Sequence, residues 1–206
     1  MKDFTLTVPI PKCETDFKLP DPDLIRYYKD YEDRVYYLDY EIDEFAFEIV
    51  QRIFEYNRQD AGIKAEERKP ITIFINSYGG DVDITMSIIS AMLASVTPII
   101  TVNCGTAMSC GGFILLAGHK RYAMKYSTVM FHPGSAVQGG TYNQIEESQK
   151  NYKRTVDMIA NYIVERTNIS KRKLYNNWAK DWYLPSSQQL ELGIVNKIIN
   201  NLDEVL

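Results

Sequence analysis

Ser109 has the neighbours a nucleophile needs. It lies in Gly105-Thr-Ala-Met-Ser109-Cys-Gly-Gly-Phe-Ile-Leu-Leu-Ala-Gly118, directly after the β-branched run Pro98-Ile-Ile-Thr-Val102. That run reads as a buried strand, and the apolar stretch from Gly112 to Ala117 reads as a helix. Ser109 then sits at a strand-to-helix turn. Backbone N–H groups at the start of a helix point at whatever is bound there, and the helix dipole favours negative charge. An exposed hydroxyl beside such donors suits acyl transfer. The alternative is a tight turn in which the glycines serve helix packing and Ser109 only caps the helix. A serine nucleophile also needs a base, and the chain has only 2 histidines. His119 is flanked by Gly118 and Lys120 and reads as a loop residue. His132 closes Ser127-Thr-Val-Met-Phe131 and precedes Pro133, at a strand end where loops build active sites. It must be neutral to accept the serine proton. A third group has to orient the imidazole, but acids are plentiful and spacing does not choose among them.

The elements around these residues are α/β in pattern. Arg34–Tyr40 and Ile71–Ile75 read as strands. Asp43 is placed to cap a helix from Glu44 to about Tyr56, with Phe45, Ile49, Ile53 and Phe54 on one face. Asn76-Ser-Tyr-Gly79-Gly80-Asp81 leads into a helix ending near Ser95, with Ile84, Ile88, Ile89, Met92 and Leu93 on one face. A strand, a glycine pair and a helix can form an oxyanion or anion site from backbone N–H groups. There is no G-K-[ST] phosphate loop and no G-x-G-x-x-G fingerprint. Arg121–Met124 and Ser127–Phe131 read as two short strands around a turn. Thr141 to about Thr167 is the longest helix, with Ile145, Tyr152, Val156, Ile159 and Ile163 on one stripe. That stripe is more apolar surface than a monomer leaves exposed, so a homo-oligomer is expected. Ser170 caps a short helix through Trp178. Ser186 and Gln189 read as a capping box for another, closed by Gly193. Ile194–Ile199 reads as the last strand.

Bulk properties exclude several classes. The 206 residues are 45% hydrophobic and 24% charged, enough for one core. A net charge of −4 argues against a nucleic-acid partner. No run approaches the roughly 20 apolar residues of a membrane span, and Met1–Leu6 has no signal-peptide core. The 3 cysteines, Cys13, Cys104 and Cys110, show no paired spacing. A reducing compartment is therefore expected: the cytoplasm, an organellar stroma or matrix, or an infected host's cytoplasm if the source is viral. No cofactor and no metal are expected. Pro9, Pro11, Pro20 and Pro22 make residues 1–24 an arm or loop, and one helical turn is expected within Asp23–Asp33.

Several of these motifs together resemble the Clp protease proteolytic subunit family of serine peptidases. They are Ile75-Asn-Ser-Tyr-Gly-Gly80, Ala107-Met-Ser109-Cys-Gly111, Val129-Met-Phe-His132-Pro133, Lys180-Asp181-Trp-Tyr-Leu-Pro-Ser186 and Glu191-Leu-Gly-Ile-Val195. The resemblance runs from about Val35 to Ile199. It implies a crotonase-like α/β fold of repeated β-β-α units. It implies Ser109 as nucleophile, His132 as general base, Asp181 as orienting acid, and an oxyanion hole from the N–H groups of Gly80 and Cys110. It also implies a peptidase domain over residues 34–206, preceded by an N-terminal arm over 1–33. A handle over about 134–167 would interlock stacked rings, with Gly134–Gly140 as its entry strand. Unfolded or short polypeptides would lie beside such a strand, and an AAA+ unfoldase would feed the chamber. The chain departs from the family in places. Tyr78 stands where a proline is usual and Lys180 where an arginine is usual; lysine cannot form the same bidentate fork. Residues 1–33 do not match the family's axial segment. Thr72 replaces an aromatic that helps dock the unfoldase, which implies weak coupling to a standard one, although Phe74 is retained. Two other readings stand beside the peptidase: a catalytically silent ring subunit, and a crotonase-fold acyl-CoA enzyme.

Overall fold

Parallel pairing of β-branched runs organises the chain. In the computed structural model, which describes residues 21–135 and 137–205, β1 (Val35–Leu38), β2 (Ile71–Ser77), β3 (Ile99–Met108) and β4 (Lys120–Met124) lie side by side in that order, with β7 (Lys197–Ile199) beyond β4. All these pairs are parallel. Parallel neighbours need crossovers. Helices α2 (Glu48–Gln59), α3 (Val82–Ala94) and α4 (Cys110–Ala117) supply them. The main core, which includes Ile49, Ile53, Ile73, Ile75, Ile88, Met92, Ile114 and Leu115, holds these helices to the sheet. A smaller cluster gathers separately, in which Phe74 of β2 and Val102 of β3 meet Ile199 of β7 and Val205. Every residue of α4 is buried, as its wholly apolar sequence demands.

The strand expected to stop at Val102 runs on to Met108 and serves two ladders. Residues 100–103 pair with β4, whereas Thr106–Met108 pair with β5 (Thr128–Phe131). The change happens at a register shift against β2 between Ile75 and Ser77. There Asn76 Oδ1 accepts the Thr106 N–H at 3.1 Å. A bulge of this kind bends a strand and re-aims the residues beyond it. As a result β4 and β5 do not form the hairpin that two strands around a turn suggest. Each joins a different half of β3, and β5 pairs antiparallel with β6 (Trp182–Pro185).

Other expectations change in physical detail. The arm expected over residues 1–24 lies outside the described residues up to residue 20. Pro22–Asp33 is not a single turn but a 12-residue helix, α1. Pro22 opens it, where a missing N–H costs nothing, and the Asp21 side chain accepts from Asp23 N. Tyr56 Oη donates to Tyr31 O at 2.8 Å, and the Arg52 guanidinium lies 4.6 Å from the Tyr27 ring, so α1 is docked on α2. Asp43 caps a 3-10 turn, Glu44–Phe47, before α2 begins. That turn breaks the helical phase and leaves Phe45 exposed; Phe54, about 100° round from Ile53, is also outside the buried stripe. On α3 Ile84 is partly buried and packs against the main core as expected, whereas Leu93 is exposed. The final strand shortens to Lys197–Ile199.

Ser186 and Gln189 form no capping box. In α7 (Ser186–Glu191) the Ser186 hydroxyl donates to Lys125 O at 2.5 Å, and Gln189 Nε2 donates to Ser127 O and Leu184 O. Both side chains hold the β4–β5 connection instead. Helix α5 (Tyr142–Arg166) spends its apolar stripe largely within the subunit: Ile159 and Ile163 are buried in the main core, and Val156 packs against it. Helix α6 (Lys171–Trp178) is capped by Ser170 as expected. The described residues of 134–140 form no strand within this chain.

Candidate active site

Strand β5 acts as the ruler of the site. Its parallel ladder with β3 pairs Met108 with Met130, and the Ser109 N–H donates to Met130 O at 2.8 Å. Its antiparallel ladder with β6 pairs Phe131 with Trp182. One step further along that register His132 faces Asp181. Three segments distant in sequence are thus brought to one end of β5 by backbone pairing alone.

Ser109 occupies the cap position of α4, yet its side chain makes no cap bond. Its backbone has φ 51° and ψ −122°, a conformation rare for a residue with a side chain. Strain of this kind persists where surrounding structure imposes it. The hydroxyl points at the histidine: Ser109 Oγ and His132 Nε2 are 2.7 Å apart. The packing alternative is thereby answered in two parts. The serine does not cap, whereas Gly111 and Gly112 do serve packing, against Ser77 and Phe131.

Asp181 Oδ1 stands 3.8 Å from His132 Nδ1, close enough for charge but beyond a hydrogen bond. About half of the Asp181 side chain is open to solvent, and its other oxygen lies 3.4 Å from Tyr183 Oη. The register sets this carboxylate opposite the imidazole without locking it.

Gly79 and Gly80 press against the same turn. Gly79 has φ 108°, and a Cβ placed on it would come 2.9 Å from both Met108 O and Ser109 Cβ. Gly80 bridges to Ile42, where a Cβ would overlap the Ile42 backbone. Only residues without side chains allow this approach. The Cys110 thiol donates to Gly80 O at 3.3 Å, so Gly80 and Cys110 are neighbours. Neither of their N–H groups has a backbone partner among the described residues. The glycine pair is legible as a motif, but its contact with the Ser109 turn is not. Nothing in the sequence marks the Met130 carbonyl that positions Ser109.

The other reactive types lie elsewhere or are quiet. His119 Nδ1 accepts from Ile99 N at 2.9 Å, at the opposite end of β3 from Ser109. Burial lowers its pKa, which keeps it neutral and structural. Burial raises the Cys110 thiol and pushes Cys104 up to about 11, so neither is a ready thiolate. Among the described residues no three His, Cys, Asp or Glu gather to hold a metal ion, and no helix is long and apolar enough to cross a membrane.

The family model described as Clp protease matches residues 31–202. The ATP-dependent Clp protease proteolytic subunit 1 of Streptomyces avermitilis is 31% identical over 142 residues, 68% of this chain and 65% of that protein. Subunit 1 of Corynebacterium jeikeium is 30% identical across 84% of this chain and 90% of its own length. Subunit 2 of Prochlorococcus marinus is 26% identical across 96% of this chain and its own full length.

Proposed function

The chain belongs to the Clp protease family, and on that premise we propose that it is a serine endopeptidase using Ser109, His132 and Asp181. The observation that carries this reading is the 2.7 Å approach of His132 Nε2 to the Ser109 hydroxyl. As Ser109 Oγ attacks the scissile carbonyl carbon, its proton passes to His132 Nε2. The carbonyl oxygen becomes an oxyanion, and the Gly80 and Cys110 N–H groups receive it. The C–N bond then breaks, and the leaving amine takes the proton from His132. Water reverses the sequence on the acyl-enzyme. Asp181 stabilises the imidazolium and fixes its tautomer once its 3.8 Å gap to Nδ1 shortens. Apo-form catalytic contacts are often long in this way.

The protein works as a homo-oligomer of stacked rings. Exposed Phe45, Phe54 and Leu93 offer apolar surface for lateral contacts. The α5 handle carries exposed Tyr142 and Met158. The described residues of 134–140 form no strand within this chain, and an extended polypeptide would add beside them by main-chain bonds. Such pairing reads little side-chain identity, so unfolded or short polypeptides are the substrates. The relatives' name, ATP-dependent, points to an ATP-driven partner of the AAA+ kind. Thr72 is buried between Val35 and Ile100, and the aromatic surface there is Tyr37 stacked on Phe74 at 5.4 Å. One aromatic wall fewer weakens coupling to a standard unfoldase. The test is cleavage of a short fluorogenic peptide by the wild type and Ser109→Ala. Loss of about 10⁴- to 10⁶-fold in kcat is expected; unchanged cleavage would overturn the reading.

A further inference from the structure

Helix α5 touches both halves of the site. At its C-terminal end the Tyr162 hydroxyl donates to Phe113 O at 3.0 Å, and Arg166 donates to Leu116 O and Gly118 O, both at 2.9 Å. These carbonyls belong to α4 and its end, and α4 begins beside Ser109. Further back along the same helix the Tyr152 hydroxyl donates to Pro133 O at 3.1 Å. It also lies 3.6 Å from where a Cβ on Gly134 would stand. Pro133 directly follows His132. From Tyr142 to Asn151 no side chain of α5 is buried. Tyr152 is therefore the anchor at which the helix leaves the body of the subunit. The two anchorages are 10 to 14 residues apart, about 15–21 Å of one continuous helix.

We infer that Tyr152 is a positioning residue for the proposed reaction: its hydroxyl ties the His132-Pro133-Gly134 turn to α5, which is itself bonded to the helix of the nucleophile. The inference rests on the Ser109–His132 reading. It assigns α5 a task beyond assembly, because the helix splints base and nucleophile into one frame. The splint matters here because the carboxylate side of the imidazole is loose, with Asp181 half exposed and 3.8 Å away. The Pro133 nitrogen carries no hydrogen, so the turn cannot be held by a bond from that position. The phenol is the side chain that holds its carbonyl. Disturbance of the exposed half of α5 reaches the turn through the same residue.

The experiment compares Tyr152→Phe, Thr155→Val and Ser109→Ala with the wild type as intact particles. Among the described residues the Thr155 hydroxyl bonds only to Asn151 O in its own helix, which makes it the control. Tyr152→Phe keeps the ring and removes one neutral hydrogen bond. Its kcat is expected to fall by about two- to tenfold. KM, particle mass and Tm should hold, and the rate of fluorophosphonate labelling should fall by the same factor. Tyr152→Leu should fall further, and Thr155→Val should match the wild type. Wild-type kcat in Tyr152→Phe, a change confined to KM, or loss of the particle would each overturn the inference. Ser109→Ala separates the two levels. If it stays active, the underlying reading fails; if it is inactive while Tyr152→Phe is normal, only the splint fails.

Discussion

Replacing Gly79 with alanine tests how tightly the nucleophile turn is held. The added Cβ would sit 2.9 Å from Met108 O and Ser109 Cβ and 3.1 Å from Cys110 N. Carbon contacts settle at about 3.5–4.0 Å, so one side must retreat by roughly 0.5–1 Å. The atoms in the way belong to the turn that carries Ser109 and the N–H of Cys110, so relief displaces the proposed nucleophile and an oxyanion donor together. A misplacement of about 1 Å in such a site costs about 10²-fold in rate. The φ of 108° adds backbone strain of about 1–3 kcal/mol. For a domain near this size that lowers Tm by about 2–12 °C. Gly62→Ala is the matched control: φ is 88°, and nothing lies within 4 Å of its added Cβ. It should lower Tm and leave kcat alone. The assay is steady-state cleavage of a fluorogenic peptide below both melting points. Gly79→Ala within twofold of wild-type kcat would refute the tight-turn argument.

Other contacts set further expected outcomes. Arg34 forms two hydrogen bonds to Asp60, at 2.6 and 2.7 Å, and holds its carboxyl below the ordinary aspartate value. Asp60→Asn breaks this pair and should cost about 3–5 kcal/mol in denaturant unfolding. Because the folded pKa is depressed, the contribution of Asp60 is complete above the unfolded value of about 3.9. It is lost as pH falls through the folded value, so the two proteins' stabilities should converge in acid. Ile159→Lys should unfold the subunit rather than split a particle, since Ile159 is buried in the core. Phe54→Glu should lower particle mass by native mass spectrometry with little loss of subunit stability, since Phe54 is exposed. His132→Ala should abolish peptide cleavage while His119→Ala retains it, because the His119 ring accepts from the Ile99 N–H at the other end of β3.

Local signals made much of the fold and site legible in the sequence. The β-branched runs at Ile71–Ile75 and Pro98–Val102, the glycine pair and the Ser109 and His132 surroundings each announced themselves within a few residues. The features that were not legible depend on partners distant in the chain. The bulge that hands β3 from β4 to β5 needs Asn76 to meet Thr106. Ser186 and Gln189 have the spacing of a capping box, but longer-range carbonyls at Lys125 and Ser127 claim them. The stripe on α5 looked like assembly surface because sequence cannot tell a face covered by its own subunit from one covered by another. Proline density hid α1, since one proline at a helix start is favourable. Asp181 was reached by resemblance, and only the β5–β6 register gives it a physical reason.

The central claim is that Ser109 is a nucleophile primed by His132. Its most direct measurement is covalent labelling with a fluorophosphonate, followed by mass mapping of the adduct. We expect one adduct per chain, on the peptide containing Ser109. It should be absent in Ser109→Ala and slowed by about 10²-fold or more in His132→Ala. An adduct on another residue, or equal labelling of Ser109→Ala, would contradict the account.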